Sequence, residues 1–287
     1  MRIDDRVCWT VSRMVLTCGL MLGCGTAGSD NTAETPPAGP AQSQITVTGS
    51  STIAPLMGEI GKRFEAEHPG VRVDVQSGGS SRGVADSRNG LADIGMVSRD
   101  LKSDEADLQR FPIARDGVCL IVHADNPVRS LNSDQIVGIY TGQVRNWNDV
   151  GGADSPITVV NKAEGRSTLE VFASHFKLKS KEIRADVVIG DNEQGVKTVA
   201  GNPLAIGYVS IGTAEFDRDS GVPIRLLPLE GVEASVENVR NGTFPMSRTL
   251  HLVTKSPPAG IVREFIEFAT SPKVHDLVKE LSFVPID

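Results

Sequence analysis

The chain has 287 residues, of which 39% are hydrophobic, 5% aromatic and 23% charged, and its formal net charge is −7. This length and balance suit one large or two modest α/β domains and exclude a disordered or collagen-like chain. The acidic surface disfavours nonspecific nucleic-acid binding, so no nucleic-acid partner is expected. It leaves anion capture open, because backbone amide dipoles act at hydrogen-bond range while distant charges are screened within about 8–10 Å.

Arg2, Arg6 and Arg13 precede an apolar run from Met14 to Leu22, and Gly23-Cys24 follow. The run is too short to span a bilayer but suits the hydrophobic region of a secretory signal. Leu20-Met-Leu-Gly-Cys24 resembles the bacterial lipobox, in which the Cys is lipid-modified and becomes the mature N-terminus. The expected layout is a lipoprotein signal peptide over 1–23, lipidation at Cys24 and a flexible tether over 24–44. The tether has no aliphatic side chain larger than Ala before Ile45 and cannot offset its ordering entropy by burial. An ordinary signal peptide with an incidental Cys is the alternative. The protein is therefore expected in the cell envelope, in the periplasm or at the cell surface, held to a membrane by lipid alone. Cys24 and Cys119 would be the only cysteines left, so no disulfide framework forms, and Cys119 within an apolar run reads as a buried strand residue.

From Ile45 the pattern alternates strand, polar turn and helix. Ile45 to Gly49 reads as a strand, Ser50 to Pro55 as a turn, and Leu56 to His68 as a helix with Leu56, Ile60 and Phe64 on one face. Val71 to Val75 is a second strand, Gln76 to Gly83 a loop, Val84 to Asn89 a short helix, and Ala92 to Val97 a third strand ending at Ser98-Arg-Asp100. A long strand from Arg115 ends before Pro127, and a helix is predicted over Ser133 to Tyr140. A second set follows, with a strand at Ile157 to Val160, a loop at Asn161 to Arg166, a helix at Ser167 to Phe176 and a strand at Ala205 to Val209. Ser247 to Thr254 is another long strand, and Pro258 to Leu281 supplies terminal helices. Strands alternating with helices imply wound α/β sheets. Gly117 to Ala124 and Arg248 to Thr254 are the expected crossovers between two lobes, the first comprising 45–122 and 246–287 and the second 123–245. Ligands of such sheets sit outside the carboxyl ends of the strands, which places a site in the cleft between lobes.

Four strand-to-helix junctions are rich in Ser, Thr and Gly: Gly49-Ser-Ser-Thr52, Ser77 to Gly83, Ser98-Arg99 and Gly165-Arg-Ser-Thr168. Hydroxyls at such places cap helices, and the free amides of a helix N-terminus also bind oxyanions. One junction alone is more simply a cap. Four together suit a tetrahedral oxyanion, whose oxygens need donors from several directions. Arg99 and Arg166 are the candidate charge partners, with surface salt bridges to Asp100 or Glu164 as their alternative. Asp93, Asp100 or Glu164 could accept a hydrogen bond from the protonated oxygen of hydrogen phosphate and so disfavour sulfate. No Gly-x-Ser-x-Gly elbow, Walker loop or metal-ligand spacing among the five His residues occurs, so neither an enzyme nor a cofactor is expected.

Gly49-Ser-Ser-Thr-Ile-Ala-Pro55, Gly78-Gly-Ser-Ser-Arg-Gly83, Ala92 to Arg99, Ile139-Tyr-Thr-Gly142 with Asn146-Trp147, Ala205 to Ser210 and Met246-Ser-Arg-Thr-Leu250 occur in that order. With them the chain resembles the periplasmic phosphate-binding proteins of ABC transporters over nearly all of 45–287. The resemblance implies two α/β lobes joined by a two-strand hinge, inorganic phosphate bound in the cleft, and delivery to ABC permease subunits, with the protein acting as a monomer. Carried over by motif, Ser51 and Thr52, Ser80 and Ser81, Ser98, and Ser167 and Thr168 bind the anion. Two departures stand out. The family's common Ser-Gly-Thr is Arg166-Ser-Thr168, and an Arg of some members falls near Lys162, so Arg166 is expected to supply the guanidinium from a new position. An Asp that some members use as acceptor aligns near Ser98. Another tetrahedral oxyanion such as sulfate, or a sensing or adhesion role on the same scaffold, is the alternative.

Overall fold

The computed structural model describes residues 43–286. The predicted signal peptide, Cys24 and the predicted tether up to residue 42 lie outside them. Ser43 and Gln44, the last two tether residues, open the first strand.

The chain begins with β1 (Ser43–Gly49), α1 (Ala54–Glu67), β2 (Val71–Ser77), α2 (Ser80–Asn89) and β3 (Ile94–Val97). Ile45 and Val47 alternate into the core from β1, and α1 buries Leu56, Met57, Ile60 and Phe64 along one stripe behind Pro55 in its first turn. α2 starts at Ser80 rather than at the expected Val84. Gly79, at φ 94, takes a backbone turn that favours glycine and puts Ser80 and Ser81 into the helix instead of a loop.

Next come β4 (Gln109–His123), α3 (Ser133–Thr141), β5 (Thr158–Lys162), α4 (Ser167–His175), β6 (Val187–Ile189) and α5 (Asn192–Ala200). They are followed by β7 (Ala205–Ser210), α6 (Ile211–Asp219), β8 (Ile224–Leu226) and α7 (Val236–Arg240), then β9 (Ser247–Thr254), α8 (Gly260–Ala269), α9 (His275–Glu280) and β10 (Val284–Pro285). β4 begins at Gln109, ahead of the expected Arg115, and accommodates Pro112 at an irregularity between Pro112 and Ala114.

One mixed sheet has the order β2-β1-β3-β9-β4-β7-β5-β6, with β8 and β10 also pairing to β4. It serves two cores. The first holds Ile45, Val47, Phe64, Ala114, Leu250, Leu252 and Phe265. The second holds Val118 to Val122, Tyr140, Trp147, Phe172, Tyr208 and Ile224. β4 therefore passes between cores around Gly117, and Val118 to Val122 belong with the second one rather than the first. β9 pairs only along Gln109–Gly117 of β4 and with β3, while β7 and β8 take the Val118–His123 half. The second connection is the Met246-Ser247 step beside it, where Val118 N–H donates to the Met246 carbonyl at 3.0 Å. Two adjacent strand segments thus join two wound α/β lobes. Among the described residues no helix is long and apolar enough to cross a membrane.

Candidate anion-binding site

Three helices present their N-termini to the cleft. α1, α2 and α4 have no side-chain hydrogen bond at their N-caps, Ile53, Gly79 and Arg166. α3, α5 and α7 are capped by Asn132, Asp191 and Ser235, while α6, α8 and α9 also lack a side-chain cap, so it is position at the cleft that sets α1, α2 and α4 apart. At the first junction Ser50 Oγ accepts from Thr52 N–H at 3.2 Å, whereas α2 and α4 open without such a cap, and their positive dipole ends face shared space.

That space is a narrow cavity lined by Ser50, Ser51, Thr52 and Gly79 from the first lobe and Lys162, Arg166, Ser167, Thr168 and Gly190 from the second. Ser167 Oγ is bonded to Ser80 Oγ at 3.0 Å and to Ser98 Oγ, and Ser98 Oγ meets Ser50 Oγ at 2.7 Å. Asn192 Nδ2 donates to Thr52 Oγ1 at 3.1 Å, and Ser81 N–H to the Gly165 carbonyl at 3.2 Å. The lobes meet through hydroxyls that can each donate or accept by rotating, so the network can reorient around an oxyanion.

The floor is an ion pair at the hinge. Asp116 and Arg248 are register partners on β4 and β9, with side chains 1% and 2% exposed. Arg248 Nε and Nη2 donate to Asp116 Oδ2 at 3.0 and 2.7 Å, while Nη2 reaches Thr52 Oγ1 at 3.2 Å and Nη1 reaches Thr168 Oγ1 at 3.3 Å and the Ser98 carbonyl at 3.2 Å. Asp116 Oδ1 accepts from Ser210 Oγ and Gly212 N–H, so the carboxylate is fully engaged and holds the guanidinium in place.

Two more cations line the cavity. Arg166 Nη1 is buried without a hydrogen-bond partner among the described residues, a donor left waiting for an acceptor. Lys162 is 2% exposed and donates to the Asp191 carbonyl. Burial is the main cause that brings its pKa down to about 7; Arg248 and Arg166 lower it further, against a raising influence from Asp191. The Arg166 and Arg248 guanidiniums, of which Arg248 is paired with Asp116, bring positive charge to the cavity in an otherwise acidic protein.

Of the predicted residues, the structure places Ser51, Thr52, Arg166, Ser167 and Thr168 on the cavity wall, and Ser80 and Ser98 one hydrogen bond behind Ser167. Ser81 and Arg99 point elsewhere. Ser81 Oγ reaches Glu170 Oε1 at 3.3 Å. Arg99 makes a two-pronged contact with Glu105 at 2.6 and 2.8 Å, so its charge is already neutralised. None of the three carboxylates expected to read a proton lines the cavity: Asp93 is exposed and accepts from Thr46 N–H at the far end of the sheet, and Asp100 and Glu164 are exposed on an outer groove. Ser50, Lys162 and Arg248 were not predicted. Arg248 stood inside a quoted motif, but its cross-strand pairing with Asp116 is invisible without strand register. Cys119 is buried and its thiol pKa is pushed well up by desolvation, so it is no nucleophile.

A sequence profile of the PBP superfamily domain matches residues 34–273. The chain belongs to the PBP superfamily. Among relatives, the phosphate-binding protein PstS of Bacillus subtilis (strain 168) is 27% identical over 286 residues, across 95% of this chain and 93% of its own. A phosphate ABC transporter substrate-binding protein with bound phosphate from Clostridium perfringens superposes with a TM-score of 0.78 at 32% identity, over 85% of this chain and all of that one. An ABC-type phosphate transport receptor from Vibrio cholerae gives 0.70 at 31%, over 84% of this chain and all of its own. These PBP relatives are solute-binding transport proteins, and the two-lobed hinged fold that the motifs imply is the fold observed.

Proposed function

We propose that the protein captures inorganic phosphate between its lobes and hands it to the permease of an ABC transporter. The observation that carries this is the convergence of the α1, α2 and α4 N-termini on a cavity lined by Arg166 and Lys162, with Arg248 beneath it against Thr52 and Thr168, and no carboxylate lining it. Names of the relatives supply phosphate and the transporter. Ser51, Thr52, Ser167 and Thr168 are the hydroxyl ligands, Arg166 and Arg248 the guanidinium ligands, and Ser80 and Ser98 orient Ser167. The lobes, divided near Gly117 and Met246, part to admit the anion and close over it. The relatives are solute-binding transport proteins, and on this reading the protein binds and releases its anion without chemistry. Export through the leader and anchoring at Cys24 would hold a monomer at the outer face of the membrane, where a permease can meet it.

One observation favours a broader reading. With no carboxylate on the cavity wall, nothing there penalises an unprotonated dianion, so sulfate is discriminated only by geometry and by the acceptor demands of the reoriented hydroxyls. Calorimetric titration with phosphate, arsenate and sulfate decides between the two. Phosphate and arsenate are expected to bind tightly, and Ser167→Ala with Thr168→Ala to weaken both by at least about a hundredfold. Sulfate binding as tightly as phosphate would replace the phosphate assignment with a general oxyanion one, and unchanged affinity in the double variant would overturn the site.

A further inference from the structure

Glu170 lies in the first turn of α4, on the second lobe, outside the anion cavity. An acid there suits the helix dipole, but that does not explain its partners. Its Oε2 lies 2.6 Å from Arg99 Nε and 3.1 Å from Lys102 Nζ, and its Oε1 accepts from Ser81 Oγ at 3.3 Å. All three donors belong to the first lobe, Ser81 in the first turn of α2 and the two cations just after β3.

The first-lobe half of the arrangement is held together without Glu170. Arg99 keeps Glu105 through both Nη groups, with both side chains 6% exposed, and Glu105 Oε2 also accepts the Lys102 N–H at 2.9 Å. Arg99 is therefore held in the first lobe by contacts that do not need Glu170, and its buried Nε has no hydrogen-bond partner there, with Glu170 Oε2 2.6 Å away as an ion-pair contact. Glu105 pairs with Arg99 inside the first lobe, and Glu170 brings a second carboxylate to Arg99 Nε and Lys102 Nζ from the other lobe.

We propose that Glu170 is a positioning residue that clasps the lobes shut around the bound anion by docking onto this Arg99–Lys102–Ser81 receptor, and so sets how long the anion is retained. This rests on the reading of the cleft as a phosphate site, but it concerns residues that touch no anion. Glu170 acts only in the closed form, so it slows release and leaves the encounter with phosphate nearly unchanged. Its side chain is 24% exposed, which leaves the contact open to screening by salt.

Glu170→Gln keeps the shape and the acceptor for Ser81 and removes the charge. Stopped-flow phosphate release is expected to quicken about tenfold, with association changed less than about threefold, as for loss of a partly buried charge pair. Release from the wild type should accelerate between low and high salt, and this acceleration should flatten in the variant. Ligand-free thermal stability should change little, because only the fraction of molecules that is closed makes the contact. Equal release rates and equal salt dependence in the two proteins would overturn the clasp; so would a variant with lowered ligand-free stability and equally altered on- and off-rates, which marks a plain structural role. A fluorescence pair spanning the lobes reports the closed fraction without ligand, which Glu170→Gln should reduce. If the wild type binds no phosphate yet this fraction drops in the variant, the phosphate reading fails and the clasp stands; if the fraction is also unchanged, both fail.

Discussion

Lys162 bears the largest electrostatic burden of the closed, empty cavity. It is buried beside Arg166 and Arg248 on one side and the Asp191 carbonyl on the other, with Glu193 further off, and burial above all holds its pKa at about 7 against an ordinary 10.5. Between those two values the unfolded chain carries the proton and the closed folded chain does not. Stability from this group is therefore lowest below pH 7 and rises as pH climbs from 7 toward 10.5. An anion in the cavity reverses the balance by favouring the ammonium. Without phosphate, the wild type should gain roughly 1–3 kcal/mol between pH 7 and pH 9 relative to Lys162→Met, from a shift of this size at 1.36 kcal/mol per unit. Urea unfolding at the two pH values measures the difference; parallel pH profiles for the two proteins would show that Lys162 stays solvated.

The residues that the sequence leaves undecided are those defined by partners far along the chain. Ser51, Thr52, Ser167 and Thr168 follow strands and open helices, so local pattern suffices to place them on the cavity. Arg99 sits in an equally suggestive motif, yet Glu105 and Glu170 claim it, the first by a local 3₁₀ turn and the second from the other lobe. Arg248 is the converse. It occupies an ordinary strand position, and only the Asp116–Arg248 register brings it under the cavity.

At the scale of elements, the strand and helix series was legible because apolar spacing and Gly-Ser punctuation agree for β1, α1, β2, β5, α4, β7 and β9. Short elements without a clear stripe, such as β6, β8, α6 and α7, were not, since tertiary packing rather than local pattern makes them. The first turn of α2 was missed for a related reason. Its position depends on backbone contact with the sheet: a Cβ at Gly95 of β3 would lie 2.4 Å from the Gly83 carbonyl oxygen, and one at Gly83 would lie 2.9 Å from the carbonyl oxygens of Thr48 and Met96. α2 can therefore settle directly on β1 and β3, and this sets where its N-terminus meets the cavity. Gly95→Ala should lift the helix, destabilise the fold by about 1–3 kcal/mol as overpacking does, and weaken phosphate binding by displacing the N-terminus of α2 from the cavity. Chemical denaturation and a phosphate titration of the same variant check both parts; normal stability with normal affinity would mean the sheet yields at no cost.

For the molecule as a whole, β4 decides how the two cores are coupled. Its Gln109–Gly117 half pairs with β9 in the first lobe, and its Val118–His123 half pairs with β7 and β8 in the second. Bending at Gly117 is therefore compatible with closure, whereas unfolding either lobe strips pairing partners from a strand that continues into the other. A ligand gripped from both sides adds to this coupling, because neither lobe can open fully while it is held. Phosphate at about a thousand times its Kd should raise the unfolding free energy by roughly 4 kcal/mol. In a domain of this size that corresponds to roughly 8–16 °C in Tm. The rise should come in one transition, with hydrogen exchange slowed together in β2 of the first lobe and β6 of the second, although neither strand lines the cavity. Protection confined to one lobe would mean that phosphate is held by that lobe alone and that β4 does not carry the coupling.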